Sequence, residues 1–192
     1  MGRSEIDSCP QCKTLETENY VLNNCSIAAA QGRYTWRHDV ILRHLVSIIC
    51  SHLGPTDKLY ADLEGLTSPS DIFNNVRPDI VIVHDNISFV LELTCCYERN
   101  FGASKSYKVQ KYSDIGTQNR LDMPTKLYTI EISSLGFVND ADLCKFCKSI
   151  NIAPFASDTI RRLGELSLRC SYFIFCCRHK VWPNDMTDPI IY

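Results

Sequence analysis

Asp79 and Glu92 stand with twelve residues between them within RPDIVIVHDNISFVLELT, residues 77–94, a stretch that otherwise reads as hydrophobic strand. Burying a carboxylate without a partner is costly, so their placement asks for a cation. His84-Asp85-Asn86-Ile87 interrupts the apolar run, and Asp-Asn tolerates the positive φ angles of a two-residue hairpin turn. With His84 opposite Ile87, counting back along both strands puts Asp79 opposite Glu92 on one sheet face, their Cβ atoms about 5 Å apart. Facing carboxylates repel, and a shared divalent ion resolves the repulsion. Mg²⁺ takes carboxylate oxygens and keeps several waters; one such water, made acidic by the metal, can attack a phosphodiester. The alternative is that one acid pairs with Arg77 or a lysine, or that the acids face solvent. Lys105, Lys108 and Lys111 follow at helical spacing with Tyr112 beside them. If that face lies over the acids, Lys108 can orient the water or offset charge on the phosphorane; otherwise it is a solvated basic face.

Several elements must bring these residues together. Apolar Ile41, Leu45, Ile48 and Ile49 predict a helix over 36–53, capped by Thr35 and ended by Gly54-Pro55. A short strand is expected near Leu59, then strands over 79–84 and 87–95, a helix over 103–116 and a strand over 126–133. Helices are expected over 140–150 and 157–179, with Gly164 as a point where the second can break. This order predicts an α/β layered domain. Residues 1–33 read as a small cysteine-containing segment and 183–192 as a tail, leaving 34–182 as the main domain.

Composition narrows the function classes. The chain has 192 residues and a net charge of −2, so it is no generic polyanion binder. Its charge is unevenly placed: Asp57, Asp62, Glu64, Asp71, Asp79, Asp85, Glu92 and Glu98 face only Lys58 and Arg77 within 57–98. Basic stretches follow at 99–120 and 161–180. An acidic centre flanked by basic segments suits a metal-dependent enzyme acting on a phosphate backbone; ordinary solvated helix faces would look the same. No apolar run has the length of a membrane span, and MGRSEIDSCPQC lacks the apolar core of a secretory signal. Eleven cysteines without a regular framework point to a reducing compartment, nuclear or cytoplasmic. The adjacent pairs Cys95-Cys96 and Cys176-Cys177 read as small buried hydrophobes, and Cys144 and Cys147 as core.

RPD, twelve residues, ELT, then Glu98-Arg99-Asn100 and KVQKY together resemble the restriction-like endonuclease domain of non-LTR retrotransposons, within the PD-(D/E)XK nuclease superfamily. Upstream CPQC…ETENYVLNNC…GRYTWRHDVILRHL and downstream IEISSLGFV and SYFIFCCRHKVW extend the resemblance over roughly residues 9 to 182. It implies a restriction-endonuclease-like core, a central mixed sheet flanked by helices, with a small N-terminal Cys-containing segment. It also implies a Mg²⁺- or Mn²⁺-dependent DNA endonuclease that nicks one strand. Asp79 and Glu92 would bind the metal, Lys108 would supply the superfamily's lysine from the following helix, and Lys111, Tyr112, Arg37 and His38 would be auxiliary. Glu98 matches as well, as an outer-shell group or at the start of the helix. Thr94 stands where the common acid-x-Lys order has lysine. Cys9, Cys12 and Cys25 occupy zinc-ligand positions, but Tyr20 replaces the histidine expected as the fourth ligand. YADL at 60–63 is no YxDD polymerase motif, so the expected protein is a free-standing nuclease-like domain. The competing expectation is a catalytically inactive nucleic-acid-binding or scaffold protein on a nuclease fold.

Overall fold

The computed structural model describes residues 8–9, 12–66, 73, 76–115 and 123–182. The expected tail at 183–192, Asp71 and Arg120 lie outside the described residues. Chain order is a π-helical turn (Tyr20–Asn24), α1 (Ser26–Ala30), α2 (Arg33–Cys50), β1 (Lys58–Ala61), β2 (Ile80–His84) and β3 (Ile87–Cys96). A 3₁₀ turn (Glu98–Asn100), α3 (Phe101–Lys111), β4 (Thr125–Ser133), β5 (Val138–Asn139), α4 (Ala141–Ser149) and α5 (Ser157–Cys176) complete it. The strands form one five-stranded mixed sheet in the order β1-β2-β3-β4-β5, flanked by helices as expected.

The β2–β3 hairpin turns on Asp85 (φ 48°) and Asn86 (φ 58°), the left-handed pair that a two-residue turn needs. His84 pairs with Ile87 and Ile80 with Leu91, the register read from the turn. Strands β3 and β4 run parallel, which demands a crossover, and α3 supplies it.

Strand alternation divides the sheet into two unlike faces. Ile80, Ile82, Phe89, Leu91, Leu93, Ile130 and Ile132 form the main core with α2, α4 and α5. The other face carries Val81, Val90 and Leu127, which pack with Phe73, Tyr112 and Ile115, then turns polar at Glu92, Thr129 and Glu131. Helix α3 contains no buried residue. It is held over the polar face by its lysines, by Phe101 stacked on Phe137 at 6.0 Å, and by Tyr112 just beyond its end.

Some boundaries differ from the sequence reading. Helix α2 begins at Arg33, so Thr35 lies inside it, and Gly32 at φ 71° is its N-cap. It ends at Cys50, before Gly54-Pro55, where Ser51 Oγ donates to the Ile48 carbonyl at 2.7 Å. Helix α5 is unbroken at Gly164. That glycine serves packing: a Cβ there would lie 2.0 Å from the Gly136 carbonyl oxygen. Of the cysteines expected to be buried, Cys147 is, whereas Cys176 is exposed and Cys95, Cys96, Cys144 and Cys177 are half-buried.

Candidate active site

Asp79 lies one residue ahead of β2, and its backbone continues the hairpin register. Its N–H donates to Glu92 Oε1 at 3.1 Å, while the Leu93 N–H donates to Asp79 Oδ2 at 2.7 Å. Glu92 is fully buried and Asp79 is 8% exposed. The crossover carries Lys108 above them. Its Nζ lies 2.5 Å from Glu92 Oε2 and 3.4 Å from Asp79 Oδ2, so one ammonium bridges both acids. From α2, on the other side of the hairpin, His38 Nε2 lies 3.5 Å from Asp79 Oδ1, and its Nδ1 lies 3.1 Å from Asp39 Oδ1. Arg77, the alternative partner for the acids, pairs with Asp62.

The charges are strongly perturbed. Burial opposes protonation of His38, but its hydrogen bonds to Asp39 and Asp79 outweigh burial and raise it to about 9. Burial would also raise Asp79, yet the His38 hydrogen bond and charge, the Lys108 charge and the Leu93 N–H lower it. Glu92 is raised by burial and by the charge of Asp79, against the pull of Lys108. Burial opposes the charge on Lys108, and the two acids override it, raising its affinity for the proton. At neutral pH two cationic groups therefore embrace the pair, the arrangement that makes a buried anion tolerable.

Tyr112 donates to the Arg77 carbonyl at 3.2 Å; burial and the neighbouring Glu92 charge push its phenol upward. Lys111 Nζ lies 3.1 Å from the Tyr112 hydroxyl and over its ring, at the rim of the site. Glu98 is exposed at the start of the 3₁₀ turn. Arg37 stands apart from the acids. Its guanidinium is buried, donates to Ser171 Oγ at 2.9 Å and Asn23 Oδ1 at 3.2 Å, and lies over Tyr34. It ties the N-terminal segment to α5.

The polar face extends further than the sequence reading proposed. Asp142, at the start of α4, holds Lys105 Nζ at 2.5 Å and Lys145 Nζ at 2.8 Å and accepts from Thr129 Oγ1 at 3.3 Å; the two lysines bring its carboxyl down to about 2 against the effect of burial. Glu131, opposite Thr94 on β4, is 1% exposed. Its Oε2 accepts from Asn139 Nδ2 at 2.8 Å, and Oε1 has no partner among the described residues. An acid within the apolar strand KLYTIEIS is the same signal that singles out Glu92.

Two donor sets suit a metal. Asp79 and Glu92 offer hard carboxylate oxygens, the donor type Mg²⁺ or Mn²⁺ prefers, at a position that the Lys108 ammonium occupies. The second set is soft. The Sγ atoms of Cys9, Cys12 and Cys25 all lie within 4.8 Å of one another. A tight turn presents the first two: Cys9 N–H donates to the Thr14 carbonyl, Lys13 N–H to the Cys9 carbonyl, and Lys13 has φ 61°. Cys25 arrives from the start of α1. Tyr20 places its hydroxyl 2.9 Å from Cys12 Sγ. That hydrogen bond, with the Thr14 backbone, lowers the Cys12 thiol to about 6.

No family model and no curated protein matches the chain. A solved structure described as a study of cap-snatching endonucleases of Phenuiviridae is similar over 79% of this chain, at 21% identity and a TM-score of 0.45. The match covers 66% of that chain, a little under two thirds. Among the described residues no helix is long and apolar enough to cross a membrane.

Proposed function

We propose that this protein is a metal-dependent endonuclease of the PD-(D/E)XK type that cuts one strand of DNA. The observation that carries the reading is the convergence of Asp79, Glu92 and Lys108: two facing carboxylates and an amine, placed by a hairpin and a crossover helix. Asp79 and Glu92 would hold Mg²⁺ or Mn²⁺, which when bound makes a coordinated water acidic enough to attack phosphorus. With the ion bound, Lys108 would offset negative charge on the phosphoryl oxygens. His38 keeps Asp79 ionised and oriented. Tyr112 walls the floor, and Lys111 at the rim attracts the backbone. Descent from a retrotransposon nuclease rests on the motif order alone.

The cysteine trio is proposed to take Zn²⁺ or another thiophilic ion, with Tyr20 at the edge of its fourth position. A second reading has its own support. Lys108 already satisfies both acids, so a silent nucleic-acid-binding protein could keep this cluster as a closed ion pair. Plasmid nicking in Mg²⁺ and Mn²⁺, wild type against Asp79→Ala, separates the readings. Nicking by wild type alone supports the enzyme; equal rates for both proteins remove the acids from the mechanism.

A further inference from the structure

A groove of about 320 Å³ opens between α2 and α5, lined by His44, Arg162, Glu165, Leu166 and Arg169. Arg162 and Arg169 are exposed, and neither makes a hydrogen bond or ion pair among the described residues. The only acid on the wall, Glu165, is occupied by Arg161 from the preceding turn. Arg162 and Arg169 stand against the single, already paired Glu165 on this wall, so the groove is positive although the chain is net negative; burial and Arg162 keep His44 toward its neutral form. Seven residues of helix set the two arginines about 10 Å apart. That distance equals about three nucleotide rises of one strand along a duplex axis. Guanidinium forks match phosphate oxygens in pairs, and Leu166 gives the groove a buried apolar floor.

We propose that this groove is a second nucleic-acid contact, in which Arg162 and Arg169 hold the sugar-phosphate backbone of a strand whose continuation reaches the acidic site. The inference rests on the proposed action on nucleic acid. Continuity through α2 favours that partner over an acidic peptide. His38 touches Asp79 and His44 lines the groove, six residues or about 9 Å further along the same helix axis and about 120° round it, so a strand joining the two must curve around α2. The site binds without base readout, because phosphate contacts position and do not specify.

Fluorescence anisotropy of the full chain with a labelled DNA duplex of about 30 base pairs, and with an RNA strand of about 30 nucleotides, tests it. At about 0.15 M salt the pair R162Q/R169Q is expected to weaken binding of at least one probe about tenfold and to reduce its log–log salt slope by about 1.8 for the duplex or about 1.4 for the single strand. R162K/R169K, which keeps the charge, should retain most of the slope, and equal circular dichroism melts should show both variants folded. Wild-type-like affinity and slope for both probes in R162Q/R169Q would overturn the proposal. So would failure of the wild type to bind either probe, or arginine dependence seen only on phosphatidylserine vesicles. Nicking is read in parallel. A wild type that never cuts yet binds through the arginines defeats the nuclease reading and leaves the groove standing; a wild type that cuts with no arginine dependence does the reverse.

Discussion

The acidic cluster and the cysteine cluster solve the same problem in opposite ways. Asp79, Glu92, Lys108 and His38 are brought together by a sheet register and two helices, from four places in the chain. Their hard oxygens are already compensated by cationic side chains. Cys9, Cys12, Tyr20 and Cys25 come from one short segment folded by a local turn, and their soft sulfurs face each other with the Tyr20 hydroxyl 2.9 Å from Cys12 Sγ. The first cluster is compensated by its own side chains, so an ion there must compete with Lys108. The second lies in a segment with little core of its own, where an ion would add stability directly.

The largest expected contrast is in catalysis. Asp79→Ala or Glu92→Gln should reduce nicking by on the order of 10³-fold, while Cys25→Ser should leave the rate per folded molecule within about threefold. A Cys25→Ser variant as inactive as Asp79→Ala would erase the distinction. Next is Lys108→Met. Removing one partner of a buried ion cluster costs about 3 kcal/mol, read as a lower urea midpoint, and added Mn²⁺ should restore much of it by replacing the lost charge. No recovery with Mn²⁺ would show that the acids do not hold the ion.

Tyr20→His sharpens the sulfur side. Adding one nitrogen as the fourth ligand should tighten Zn²⁺ about tenfold or more in a chelator competition. An unchanged affinity would place the fourth ligand elsewhere. The smallest effects concern pH, and there the clusters should oppose each other. The His38 proton affinity is raised to about 9 in the folded chain, so its stabilisation is complete below about 6.5 and fades as pH rises through about 9. The Cys12 thiol is lowered to about 6, so its contribution is present above about 8.5 and fades as pH falls through about 6. His38→Asn should therefore remove a downward component of a few degrees in the melting temperature between its limits, and Cys12→Ser a smaller, upward one. Identical pH profiles for the two variants would contradict both assignments.

Comparison within the sheet carries a further lesson. Glu92 and Glu131 are both buried acids on neighbouring strands, yet only Glu92 meets a second carboxylate and a lysine. Glu131 shares one oxygen with Asn139 and leaves the other without a partner among the described residues. Burial of an acid is therefore a weak marker of chemistry; convergence is the stronger one.

Much of this was legible before any coordinates. Alternation and turn chemistry are local properties, so the Asp85-Asn86 turn, the hairpin register and the opposition of Asp79 and Glu92 could be read from the residues alone. Helix ends were less legible. Gly32 starts α2 through its left-handed φ, and Gly164 looks like a breaker until Gly136 is seen against it. Only the tertiary structure could show that the crossover lowers Lys108 onto both acids, that His38 reaches Asp79 while neighbouring Arg37 turns away to Ser171 and Asn23, and that two arginines of α5 border a groove with α2. Those outcomes depend on how helices pack across a sheet, contacts between residues far apart in the chain that no local pattern encodes.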